Sequence, residues 1–170
     1  ISGGLFVDFD NDGQWATQGN CIEPLLQKLL ADEYFSKSPP KSTGREYFNL
    51  SWLEQNFQIK TYNATDIQTT LTHFSAHSIT NALASYAPAT QQVFVCGGGI
   101  NNRYLMSLLK KQFGPIKLDS TEQIGLHPDW VEAAAFAWLA QQRLLEKPGN
   151  ITSVTGANQP VLLGAIYKCT

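Results

Sequence analysis

Gln92-Val93-Phe94-Val95-Cys96-Gly97-Gly98-Gly99-Ile100-Asn101-Asn102 is the stretch that decides the fold. Gln92 to Cys96 is a short run rich in β-branched and aromatic residues. It is too short for a helix and reads as a buried strand. Three glycines follow, and Leu105, Met106, Leu108 and Leu109 then mark the apolar stripe of a helix. A strand, a glycine turn and a helix in that order are the unit of a layered α/β domain.

Working outward, Ile116-Lys117-Leu118 offers a second strand. Asp129 then reads as the N-cap of a long helix with Glu132 at its N3 position. Val131, Ala135, Trp138, Leu139 and Leu145 give that helix a core face, and Pro148-Gly149-Asn150 ends it. On the other side, Thr65 and Gln68 form a capping box for a helix whose Ile67, Leu71, Phe74, Ala82, Leu83 and Tyr86 point to one side. Asn49 to Phe57 suggests a short helix. Asn20, with Glu23 and Pro24, reads as the cap of another whose stripe is Ile22, Leu25, Leu26, Leu29 and Leu30.

The 170 residues suffice for one compact domain. Hydrophobic residues make up 43% and charged residues 15%, which excludes a disordered chain. The net charge of -2, with no Lys/Arg block, argues against a nucleic acid or a membrane surface held by charge. Cys21, Cys96 and Cys169 contain no C-x-x-C pair and read as reduced thiols. No apolar run is long enough to span a bilayer. The opening Ile1-Ser2-Gly3-Gly4, without Met, leads to the expectation of a piece of a longer polypeptide.

The strongest site candidate is the turn from Cys96 to Asn102. Glycines let a backbone approach a ligand closely, and the helix that follows would aim its N–H groups and positive dipole end at a phosphate. Asn101 or Asn102 would cap that helix or bond a ribose. The competing reading is a tight strand-to-helix turn that packs closely and binds nothing, and the local pattern does not choose between them. The turn lacks the Gly-Lys-Ser/Thr of a P-loop, and Asn at position 102 spoils a dinucleotide fingerprint. Asp8, Asp10, Asp12 and Gly13 imitate a calcium loop, but the closing position holds Gly19, so a solvated acidic turn is expected. His73 and His77 share a helix face, but Phe74 stands where a zinc protease needs Glu, so both read as ordinary helix histidines. Lys41-Ser42-Thr43-Gly44-Arg45-Glu46 is a polar loop that would either gate a cleft, with Lys41 or Arg45 on a phosphate, or simply cover surface. Glu132 has a sufficient task in capping, with sugar binding as its alternative.

Taken together, these segments resemble the anhydro-N-acetylmuramic acid kinase family. The resemblance rests on Pro40 to Glu46, on Cys96-Gly97-Gly98-Gly99 with Asn102, Leu105 and Met106, and on Glu132 to Ala140. Val154-Thr155-Gly156-Ala157 and Pro160 to Tyr167 complete it. It implies an actin-like, ribonuclease H-like lobe, a mixed sheet flanked by helices. Residues 1–170 would be the C-terminal, nucleotide-binding lobe of a two-lobe kinase whose N-terminal lobe is absent from this chain. With that lobe go the Gly-Thr-Ser-x-Asp-Gly phosphate loop and the Asp-Thr-Gly-Pro-Gly segment that carries the family's base. The resemblance further implies a cytoplasmic enzyme that uses ATP and Mg²⁺ on an amino sugar, and it admits a homodimer. Gly97, Gly98, Gly99 and Asn102 would support the nucleotide, and Glu132 would contact the sugar. No catalytic base and no metal ligand is expected in this chain, so a non-catalytic nucleotide-binding module, or a kinase for a different sugar, is the alternative.

Overall fold

The computed structural model describes residues 9–167. Its elements are α1 (Glu23–Leu30), α2 (Glu33–Ser36), α3 (Leu50–Asn56), α4 (Ala64–Tyr86), β1 (Gln92–Val95), α5 (Arg103–Phe113), β2 (Lys117–Ser120), α6 (Val131–Leu144) and α7 (Thr152–Thr155). The α/β class expected from sequence is present. Among the described residues the sheet consists of β1 and β2 in parallel, with Gln92 opposite Lys117 and Val95 opposite Ser120, rather than a mixed sheet. The crossover between them is α5, as a parallel pair requires. Val93, Phe94 and Val95 are half-buried rather than buried, because a two-stranded ribbon is covered on one side by α5 and open elsewhere.

Helix α4 is the spine of the structure. One cluster packs Leu25 and Leu29 of α1, Leu53 of α3 and Ile59 together, with Ile67, Leu71 and Phe74 of α4 against them. A second joins Ala76 of α4 to Leu109 and Phe113 of α5, with Val93 and Leu118 from the strands. The apolar stripe read from sequence holds for Ile67, Leu71 and Phe74. It fails for Ala82 and Tyr86, which are exposed. The fully buried positions are instead Thr69, Thr70, Thr72 and Ala76. Each threonine hydroxyl bonds the carbonyl one turn back: Thr69 to Thr65 at 2.9 Å, Thr70 to Asp66 at 2.7 Å and Thr72 to Gln68 at 3.0 Å. Back-bonding satisfies the polar atom locally, so the methyl face can be buried. Thr69 also donates to the Ala16 carbonyl (2.6 Å), and Thr70 accepts from the Ile22 N–H (2.9 Å). These bonds lash the segment before α1 onto the spine.

Three predicted caps move. Asn63, not Thr65, caps α4 by accepting from the Thr65 N–H (2.9 Å), while the Thr65 hydroxyl accepts from Trp15 Nε1 (3.0 Å). Asn20 does not cap α1; its N–H donates to Asp66 across the chain (2.7 Å). Asp129 does not cap α6: it lies inside a short 3₁₀ turn, Pro128–Trp130, whose first free N–H is taken by His127 Nδ1 (3.3 Å). By contrast Asn49 and Asn102 cap α3 and α5. An aromatic cluster of Tyr34, Phe35, Tyr47, Phe48, Trp52 and Phe74 is fastened by Asp32, which accepts from the Tyr34 N–H, the Tyr47 hydroxyl and Trp52 Nε1. Lys41 closes the same region by donating to the Tyr34 and Phe35 carbonyls at 3.0 and 3.3 Å. That commitment leaves it no clear part in a phosphate site.

Helix α6 departs furthest from expectation. None of its residues is buried, although Val131, Ala135, Trp138 and Leu139 were expected in a core. Phe136 is 64% exposed and Trp138 47%, and Trp130 just before the helix is 68% exposed. Behind it the chain folds back: Gly149 donates to the Val161 carbonyl, and a Cβ at Gly149 would touch Leu139 and Leu163. Sequence patterning assigns these side chains to an interior, and among the described residues that interior is not formed. An apolar face of this size drives association. The isolated chain is therefore expected to self-associate at high concentration, read as a mass above the monomer by light scattering; a monodisperse monomer would count against it.

His73 provides a pH test of the α4–α5 interface. Its Nε2 lies 3.0 Å from the Tyr104 hydroxyl. Burial first, and the neighbouring His77 second, hold its pKa below the ordinary 6.5. The folded imidazole thus stays neutral where the unfolded one takes a proton. Stability is full above 6.5 and falls as pH drops through 6.5 towards the folded value. Thermal midpoints should fall between about pH 7.5 and 5.5, and His73→Gln should flatten that slope. An unchanged slope in the variant would remove His73 as its source.

Candidate nucleotide-approach site

The site grows from the end of β1. Gly97 has φ +74° and ψ -179°, a conformation that side chains rarely adopt, and its N–H donates to the Pro128 carbonyl at 3.0 Å. Gly98–Asn101 forms one 3₁₀ turn, with Ile100 N–H donating to the Gly97 carbonyl (3.2 Å). Asn102 ends the turn. Its N–H donates to the Gly99 carbonyl (3.1 Å), and its Oδ1 accepts from the Leu105 N–H (2.9 Å) to cap α5.

The two readings of the glycines make different demands on space. A packing glycine needs a neighbour where its Cβ would stand. Added Cβ atoms at Gly97, Gly98 and Gly99 meet nothing within 4 Å. Gly97 has a conformational reason to be glycine. Gly98 and Gly99 lie outside the left-handed region. Neither backbone conformation nor crowding by described residues accounts for glycine at 98 and 99.

The expectation that the start of α5 faces a phosphate needs correction. A carboxylate is already there: Asp12 accepts from the Arg103 N–H at 3.1 Å and from the Arg103 guanidinium, which holds the Asp12 pKa below its usual value. An anion at a helix N-terminus is what the dipole favours, and here the chain supplies its own. A ligand in this arrangement meets the glycine backbone, not the first N–H of the helix. The acidic turn is accordingly more than a solvated loop, although Asn11 and Gln14 remain exposed. Asp10 accepts from the N–H groups of Trp15 (2.8 Å) and Ala16 (3.1 Å), so both acidic side chains tie the turn down. Asp8 lies outside the described residues. Sequence reading missed the Asp12–Arg103 pair, because nothing local links residues 91 positions apart.

The bond from Gly97 to Pro128 joins the glycine turn to the segment that opens α6, which carries Glu132. Glu132 is exposed, in the first turn of the helix. The capping geometry expected of it is not formed, since Trp130 occupies the cap position without a side-chain bond. Among the described residues no group of three or more His, Cys, Asp or Glu could hold a metal ion, and no helix is long and apolar enough to cross a membrane. Cys21 and Cys96 are free thiols, and burial, then Glu23, pushes the Cys21 thiol up. Cys169 lies outside the described residues.

An α/β chain with an open glycine turn between strand and helix, joined to the root of a second helix, is a scaffold suited to a ligand held by backbone. Comparison with known proteins gives the family. The model of the anhydro-N-acetylmuramic acid kinase family matches residues 4–169. The chain is 48% identical over 163 residues to an anhydro-N-acetylmuramic acid kinase of Coxiella burnetii (strain Dugway 5J108-111), covering 96% of this chain and 44% of that protein. It is 47% identical over 168 residues to one of Pseudomonas syringae pv. syringae (98% and 46%), and 44% over 162 residues to one of Nitrosomonas europaea (95% and 44%). The chain belongs to the anhydro-N-acetylmuramic acid kinase family. It spans less than half the length of these relatives.

The space over the glycines is directly testable by stability. Gly98→Ala should leave unfolding free energy within about 0.5 kcal/mol of wild type. Gly97→Ala should lose about 1–3 kcal/mol, because alanine would have to hold a positive φ with extended ψ, a region nearly confined to glycine. Denaturant titration reads both. A large loss at Gly98 would mean that the turn is packed, contrary to the open space described.

Proposed function

We propose that residues 1–170 form the C-terminal, nucleotide-binding lobe of a two-lobe, actin-like sugar kinase in the cytoplasm. The intact protein would open 1,6-anhydro-N-acetylmuramic acid with water and transfer the γ-phosphoryl group of ATP to the freed O6. Water supplies the hydroxyl at C1, the C1–O6 bond breaks, and O6 attacks phosphorus, leaving N-acetylmuramic acid 6-phosphate and ADP. Family membership supports this chemistry. The observation that carries the site is the open space over Gly98 and Gly99, which has no explanation within the described residues.

In this reading Gly97, Gly98 and Gly99 let the nucleotide's inner phosphates and ribose approach the main chain. Asn102 holds the end of that turn through its cap. Glu132, exposed and without its expected capping task, presents a carboxylate to the amino sugar from the start of α6. Mg²⁺ would offset phosphate charge. The base that activates water is assigned to the other lobe. That lobe also accounts for α6: its exposed Phe136 and Trp138 would be covered by the half of the protein that the relatives have in addition.

The test is ADP release by the full-length gene product with the anhydro sugar, with N-acetylmuramic acid and no sugar as controls. Turnover that requires the anhydro sugar is expected. Gly98→Asp should weaken ATP use at least about tenfold by crowding the phosphates with bulk and charge. Glu132→Gln should act chiefly on the sugar's KM. Folded protein with no turnover would sink the sugar assignment, and unchanged ATP affinity in Gly98→Asp would sink the nucleotide site.

A further inference from the structure

Asp12 stands in a left-handed backbone conformation, φ +60° and ψ 14°, that few non-glycine residues other than Asp and Asn hold readily. Three contacts fix it here. The Asp12 carboxylate accepts from the Arg103 N–H (3.1 Å), and it pairs with the Arg103 guanidinium. The next residue, Gly13, is left-handed at φ +72° and lies so close to α5 that an added Cβ would strike the Asn102 side chain and approach Tyr104 Cβ to 2.7 Å. The acidic turn is thus seated on the Asn102–Arg103 peptide, where the glycine turn becomes helix α5.

The contacts continue into the glycine turn. Asn102 N–H holds the Gly99 carbonyl, and Ile100 N–H holds the Gly97 carbonyl. Gly97 N–H is in turn fixed by Pro128. The turn therefore has two anchors outside itself, Pro128 at its entry and Asp12 at its exit. With no side chains to pack, a glycine turn has little of its own to select one conformation. External anchors are what would give it one.

We propose that Asp12 is a positioning residue for the nucleotide site: its carboxylate on the Arg103 N–H fixes the exit of the Gly97–Asn102 turn in the conformation that accepts ATP. The inference rests on the reading of that turn as the nucleotide site. Asp12 touches no ligand in it and acts only through Arg103 and Asn102. A ligand that meets a preset turn loses less conformational freedom on binding than one that must order it.

The experiment uses the full-length protein and ATP binding by calorimetry, with melting temperature measured in parallel. Asp12→Gly removes the carboxylate yet accepts the left-handed backbone. Asp12→Asn retains an oxygen that can accept from the Arg103 N–H, while losing the ion pair. Asp12→Gly should raise the ATP Kd by about tenfold, and Asp12→Asn should stay within about threefold of wild type. In a merely structural role both variants would melt earlier, and both would bind ATP as wild type does while folded. That pattern, or equal loss of affinity in both variants, overturns the proposal. If Asp12→Gly proves unfolded, Asp12→Asn alone decides through its double variant with Arg103→Ala: the double variant should bind no worse than Asp12→Asn, since the N–H bond survives in both, and a further loss overturns it. Gly98→Asp serves as reference. Wild-type binding that is lost in Gly98→Asp but kept in Asp12→Gly removes the positioning role alone, whereas absence of ATP binding by wild type removes the nucleotide reading and this inference with it.

Discussion

The structure depends on how closely α4 can be approached. It carries two clusters of core contacts, α1 and α3 towards its beginning and α5 with the strands further along. A helix with large side chains all round would hold its neighbours at a distance. Thr69, Thr70, Thr72 and Ala76 present small faces instead, and the threonines satisfy their hydroxyls on α4's own carbonyls. That arrangement lets the segment before α1 hydrogen-bond directly to the spine through Ala16, Asn20 and Ile22. Gly19 shows how tight the approach is, since a Cβ there would meet the Thr65 carbonyl oxygen at 2.6 Å. The α5 start, the acidic turn and the glycine turn take their places from this packing.

The sequence disclosed elements with strong local signals. β1 was read from four of its own residues, and Asn102, offered with Asn101 as the cap of α5, was legible because the bond it makes spans only three residues. The buried threonines were not legible. A hydrophobicity pattern scores Thr as polar and cannot register that its hydroxyl is satisfied one turn back. Asn20 and Thr65 illustrate the opposite error. Each has the right chemistry for a cap, but the Thr65 hydroxyl accepts from Trp15 fifty residues away, and Asn20 is held by its main-chain N–H on Asp66. Local capping rules describe the options of a side chain, and tertiary contacts decide among them.

The site shows the same division. The glycine turn announced itself in one dimension, as did its ambiguity between packing and ligand approach. The space around each missing Cβ, a property of three dimensions, weighs against packing by the described residues. The acidic turn went the other way. Its spacing imitates a calcium loop without the closing ligand and suggests a solvated turn, while the Asp10 and Asp12 carboxylates in fact accept from N–H groups of Trp15, Ala16 and Arg103. Once Asp12 occupies the start of α5, the phosphate cannot be assigned to that helix dipole, and the role proposed for the turn narrows to its main chain.

Helix α6 links the fold to the size of the relatives. Its apolar residues follow a sequence pattern that belongs in an interior, yet Trp130, Phe136 and Trp138 face outward. Burial of an aromatic side chain contributes on the order of 2 kcal/mol, so two left exposed on the helix and one just before it represent a substantial unmet driving force. On the proposed two-lobe reading, the part of the relatives' length that this chain does not span would supply the missing contact surface. Because Pro128, just before this helix, holds Gly97, a lobe seated on α6 would also bear on the entry of the glycine turn. The same hydrogen bond that shapes the proposed nucleotide site would then report whether the two halves have closed around it.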